Sequence, residues 1–92
     1  MQVKALGYYH ELQGNIPRAI EMYHISLKMH NELDNKHGMA TAYNNIGIVH
    51  KYQGEFDLSL DYYQKSLTLR EEIGNKLRIA TSLNNIGALH EQ

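Results

Sequence analysis

Six histidines are the residues in this chain best suited to chemistry: His10, His24, His30, His37, His50 and His90. An imidazole can ligate a metal or move a proton near neutral pH. A zinc centre needs three or four converging ligands, oriented in turn by their own hydrogen-bond partners. His24, His30 and His37 contain no i, i+4 pair, His90-Glu91 stands alone, and the HExxH arrangement is absent. The carboxylates Glu71-Glu72, Asp57 and Asp61 read as solvated helix faces and not as an acid and base with separated pKa values. No cysteine is present, so thiolate catalysis and a disulfide framework are both excluded. The glycines do not form a phosphate-cradling loop between a strand and a helix. The expectation is a non-enzyme with no metal and no cofactor.

The polar groups that remain are carboxamides. The stretch TAYNNIGIVH, residues 41–50, returns as TSLNNIGALH at 81–90. Asparagine is a mediocre helix former, because its side chain competes for nearby backbone hydrogen bonds. Two adjacent asparagines, twice, inside an apolar-periodic segment therefore need a reason other than propensity.

The elements that must position them follow from a forty-residue period. Gly7, Gly47 and Gly87 align, as do His10, His50 and His90. Gln13-Gly14 matches Gln53-Gly54, Tyr23 matches Tyr63, Ser26-Leu27 matches Ser66-Leu67, and Asn35-Lys36 matches Asn75-Lys76. Positions read as exposed differ freely, as at Arg18 against Leu58 and His30 against Arg70. Self-similarity at this spacing marks a stacked structural unit, since one unit cannot bury its apolar face alone. Apolar residues recur at three- and four-residue intervals, and no alternating β-branched run exists. The reading is all-α, with helices over about 2–12, 16–33, 36–52, 56–73 and 76–91. Units run 1–35 and 36–75, with a half unit at 76–92. Gly54 and Gly74-Asn75 end helices, and Pro17 sits in a first turn where its missing N–H costs little.

The chain of 92 residues is one domain, 42% apolar, with a formal net charge of −1 and both signs interspersed. That balance gives no electrostatic case for nucleic acid or an anionic membrane. No apolar run approaches the roughly 20 residues of a membrane span, and the N-terminus does not read as a signal peptide. A cytoplasmic location is expected.

Gly7, Gly14, Ala19, Tyr23 and Ser26 are spaced as in the tetratricopeptide repeat. So are Tyr43, Ile46, Gly47, Gly54, Phe56, Ser59, Tyr63 and Ser66. The chain resembles that family over essentially its whole length, and the EIGNK and NNIG elements look most like the repeats of kinesin light chains and prokaryotic signalling proteins. Two departures are mild: His10, His50 and His90 stand where Tyr is usual, and Ser59 where Ala is frequent. The resemblance implies a right-handed α-solenoid of antiparallel helix pairs, about two and a half units, whose first (A) helices line a concave groove. It also implies that the repeated histidines sit at helix–helix contacts.

On the second A helix Thr41, Asn45, Ile48 and Tyr52 form one stripe, with Asn44, Ile48 and Lys51 beside it. Neither coincides with the packing face of Tyr43, Ile46, Gly47 and His50. The counterparts are Lys4 and Tyr8 in the first unit and Asn84 and Asn85 in the third. A carboxamide carries both donor and acceptor, so it can pair with the N–H and C=O of an extended peptide. The resemblance implies that role for Asn45 and Asn85, flanked by Asn44 and Asn84, with Ala5 interrupting the series in the first unit. The other reading is that asparagines of neighbouring A helices bond to each other and fix the pitch of the stack. With only Lys4 and Lys51 on these stripes, a clamp for a terminal carboxylate is not expected, and Tyr8, Leu12, Ile48 and Tyr52 suggest apolar pockets instead. The expected partner is a peptide or protein. Self-association is the alternative, through Ile79, Leu83, Ile86 and Leu89 on a last helix that lacks its pair mate. Met22, Met29, Tyr62 and Leu69 read as core between repeats, or as an apolar patch on the convex side.

Overall fold

The computed structural model describes residues 15–91, which form four α-helices. These are α1 (Ile16–Glu32), α2 (Lys36–Tyr52), α3 (Phe56–Ile73) and α4 (Lys76–His90). Their ends agree with the sequence reading to within one residue. The helix expected over 2–12, with Lys4 and Tyr8 on it, lies outside the described residues.

Local chemistry sets the helix ends. The repeated Asn-Lys pair is a start signal: the Asn35 side chain accepts from the Gly38 N–H at 3.0 Å, and that of Asn75 from the Arg78 N–H at 3.1 Å. Each satisfies one backbone donor that the first turn leaves without a helical partner. At the other end Gly54 and Gly74 take φ of 78° and 83°, the left-handed conformation that terminates a helix. In the first unit Asp34 does this with φ 54°. Aspartate visits that region more readily than most L-residues because its short side chain bonds locally.

Consecutive helices pack against each other, and the α2–α3 contact is the most extensive. Helix α2 is buried on two sides, by Ala42, Ile46 and Val49 at i, i+4 and i+7 and by Ala40 and Gly47 beside them. Tyr43 and His50, expected on the packing face, are only half-buried, and Ala42 belongs to the core instead. Helix α3 turns Ser59, Tyr63, Ser66 and Arg70 inward, at i, i+4, i+7 and i+11. The small residue at 47 lets the helices approach closely: a Cβ there would stand 2.7 Å from the Tyr63 ring. Ser59 Oγ donates to the Gly47 carbonyl at 2.7 Å, and Ser66 Oγ donates to the Ala40 carbonyl at 2.8 Å. The serines thus fit a tight interface and satisfy their own hydroxyls there, as buried polar groups must. Burial pushes the Tyr63 phenol above its ordinary pKa, against the opposing hydrogen bond with Ser59.

Candidate functional site

With two sides of α2 buried, a third remains accessible. It carries Thr41 and Tyr52, which are exposed, and Asn44, Asn45, Ile48 and Lys51, which are half-buried. On α4 the corresponding side carries exposed Asn84 and half-buried Asn85. The two helices meet through these side chains: Asn85 Nδ2 donates to Asn44 Oδ1 at 2.9 Å. The pairing is crosswise, joining the first asparagine of one NN pair to the second of the next. A partly buried carboxamide bond of this kind is worth about 1 kcal/mol. It leaves the Asn85 oxygen and the Asn44 NH2 group without a further partner among the described residues. Asn45 borders a hollow of about 490 Å³ between α1 and α2, together with Ser26, His30, Gly38 and Thr41. The structure therefore brings Asn44 and Asn85 together and sets Asn45 at a different recess.

The histidines separate into different environments. His50 Nδ1 lies 3.0 Å from Glu55 Oε1, and its ring stacks on Tyr62 of α3, with centroids 5.5 Å apart and planes 10° apart. Tyr62 also meets His24 edge-on at 6.1 Å and Tyr43 at 6.2 Å. The Lys65 ammonium stands 5.1 Å and 5.9 Å from the Tyr62 and Tyr43 ring centres. That cluster ties α1, α2 and α3 together, so half-buried Tyr62 serves as core between repeats while Met22 and Met29 stay exposed. His90 departs from the repeat: it is exposed, and among the described residues no helix covers its side of α4. Among the described residues no three His, Asp or Glu side chains are placed to share a metal ion. No described helix is long and apolar enough to cross a membrane.

The helix pairs, the buried small residues on both sides of the α2–α3 contact and the two lateral faces of α2 are those of one repeat architecture. The tetratricopeptide repeat family model matches residues 1–72 and again residues 38–92. The chain belongs to the tetratricopeptide repeat family. No curated protein and no solved structure gives a significant match. Tetratricopeptide repeats generally mediate protein–protein interaction and are typically not enzymes.

One position in this tetratricopeptide repeat chain contradicts the sequence reading. Arg70, read as a freely varying exposed residue, is only 3% exposed. Its Nη1 donates to Ser82 Oγ at 2.7 Å and to the Arg78 carbonyl at 3.4 Å, bridging α3 to α4. Burial and the nearby Arg78 charge lower its pKa from the usual arginine value. A long guanidinium at the end of one helix can cross to the next, which residue type and exposure class alone do not reveal. The caps at Asn35 and Asn75 were also missed as such, although asparagine just before a helical period is a readable signal.

Proposed function

We propose that the accessible side of α2 and α4 is the wall of a groove that holds an extended peptide or a partner helix. The accessible side of α2 carries this reading, because it sets Ile48 and Tyr52 beside carboxamides. The Asn85–Asn44 bond is by itself the helix-to-helix contact of the other reading, and it still leaves the Asn85 oxygen and the Asn44 NH2 group for a ligand. In this surface Asn44 and Asn85 each retain hydrogen-bonding capacity toward a backbone, Asn45 and Asn84 flank them, and Ile48 and Tyr52 supply apolar contact. Tyr8 and Lys4 of the first unit are proposed to extend the same groove. Affinity of micromolar order, about −8 kcal/mol, suits a short groove of this chemistry. Selection of a random peptide display library on the immobilised chain supplies the probe. The selected peptides are then titrated against Asn85→Ala and Ile48→Asp variants whose circular dichroism and melting match the parent. A loss of affinity of about tenfold or more in both is expected for a groove binder. Unchanged affinity in both variants removes the groove from the reading.

A second reading has its own observation. On α4 Leu77 is 76% and Leu83 54% exposed, with Ile79 and Ile86 half-buried and Leu89 buried. Exposed leucines on a helix that is otherwise packed favour self-association through that side. In either reading the partner is protein, in a cytoplasmic setting, with no role for nucleic acid or membrane.

A further inference from the structure

A recess of about 310 Å³ lies between α1 and α2, lined by His24, Leu27, Lys28 and Asn31 of one and by Met39 and Tyr43 of the other. The α-helical period sets Met39 and Tyr43 on the side of α2 opposite Thr41, Asn45 and Ile48, so the recess is separate from the groove proposed above. Helix α3 borders it: Tyr62 meets the rings of both His24 and Tyr43, and the Lys65 ammonium stands 5.9 Å from the Tyr43 ring centre.

The lining divides by chemistry. Leu27, Met39 and the Tyr43 ring are half-buried, whereas His24, Lys28 and Asn31 are exposed and offer N–H donors. Among the described residues no carboxylate lines the recess. Glu32 and Asp61 stand one helical turn from Lys28 and Lys65, yet neither lysine forms an ion pair with a described residue. The ion pairs among them are Lys36 with Glu72 and His50 with Glu55. The recess thus combines an apolar, aromatic floor with a cationic rim.

The repeat does not impose this combination. Forty residues on, the six lining positions are Gln64, Leu67, Thr68, Glu71, Ile79 and Leu83. The imidazole, the cation and the aromatic ring are replaced, and a carboxylate stands in the register of Asn31. Gln64, Thr68 and Glu71 are exposed although α3 packs on both α2 and α4. This register therefore lies off the side that a preceding helix covers, and the groups that form the recess come from α1, α2 and α3.

We propose that the recess binds an aryl phosphate, with the ring between Leu27, Met39 and Tyr43 and the phosphate against Lys28, His24 and Asn31. Lys65 adds a second positive charge beside the same tyrosine. A cavity of about 150 Å³ accepts a benzene ring, so the recess has room for a ring and its phosphate. A phosphate monoester carries nearly two negative charges at neutral pH and three strong acceptor oxygens. Those suit two ammonium groups, an imidazole and a carboxamide NH2. A free small molecule and a phosphotyrosine side chain of a protein partner both present this ring and phosphate.

Titration of the full chain with phenyl phosphate, followed by proton–nitrogen NMR, tests this. The shifts are expected to centre on the six lining residues. Phenol and inorganic phosphate are each expected to bind at least about tenfold more weakly, since each lacks half of the contact. Lys28→Thr and Asn31→Glu install the residues that the next unit carries at the same places, so neither is foreign to the fold. Each is expected to weaken phenyl phosphate binding by about tenfold with circular dichroism and melting unchanged, the first by losing a charged donor and the second by adding a like charge. N-acetylphosphotyrosine amide that binds as tightly as phenyl phosphate supports a protein side chain as the carrier. Phenyl phosphate bound and the amide refused supports a free aryl phosphate. Phenyl phosphate bound no tighter than inorganic phosphate overturns the proposal, as does binding that survives both substitutions or shifts confined to other residues.

Discussion

The junction between α1 and α2 and the junction between α3 and α4 come from the same repeat position, yet they are closed by different chemistry. At the first, the His30 ring lies against the backbone of Gly38, where any Cβ would overlap it, and sits 3.2 Å from Asn35 Nδ2. Ala42, buried and lining the same hollow as His30 and Gly38, has no polar group to offer. At the second, the same three positions are Arg70, Arg78 and Ser82, and the guanidinium crosses to the serine hydroxyl and a backbone carbonyl. A short flat ring pairs with a glycine and an alanine; a long cation pairs with a hydroxyl. The positions therefore vary as a set, each residue fitting the space and the hydrogen-bonding groups left by the other two. Variation between repeats is not evidence of exposure.

The largest effect expected from this contrast is at Arg70. Arg70→Ala removes the charged donor, leaves the buried Ser82 hydroxyl without that partner and opens space, for a loss of about 3 kcal/mol in denaturant unfolding. His30→Ala at the matching place is expected to cost about 1 kcal/mol, since it removes a half-buried ring and one hydrogen bond. Equal costs at the two sites would break the contrast. Next in size is Gly38→Arg, which imports the residue of the second junction into the first. It is expected to destabilise by about 2 kcal/mol through overlap with His30. The double variant with His30→Ala is expected to recover at least about 0.5 kcal/mol relative to the sum of the single changes. Simple additivity would show that the ring and the glycine do not depend on each other. The smallest effect belongs to what the junctions share. Asn35→Ala and Asn75→Ala are each expected to cost about 1 kcal/mol and to agree with one another, because both lose the same cap to a backbone N–H three residues on. Unequal losses would place the difference between the junctions in their caps as well as in their closing side chains.

Much of the fold was legible in the residues, and the reasons are local. Three- and four-residue spacing placed α1 to α4, the glycines at 54 and 74 marked two of the ends, and the period of forty showed that the units stack. Ser59, Tyr63 and Ser66 stood out by their spacing in the repeat, and all three are buried. Less of the candidate site could be read. The stripe on α2 was identified as accessible, but its partnership was not: the asparagines were ranked by place within each pair, whereas the bond joins Asn44 to Asn85 across units. His90 was grouped with His50 by register, and only the absence of a covering helix in the described structure separates them.

The sequence by itself determined the helices, their stops, the family and the small residues through which α2 and α3 approach. These depend on backbone preference and on periodic burial, which neighbouring residues encode directly. The tertiary structure alone decided that Arg70 turns inward to Ser82, that Asn85 reaches Asn44, and that His50 stacks on Tyr62. Each of these is a meeting of side chains from different helices. Its energy depends on distance and desolvation, which are fixed only once the helices have packed.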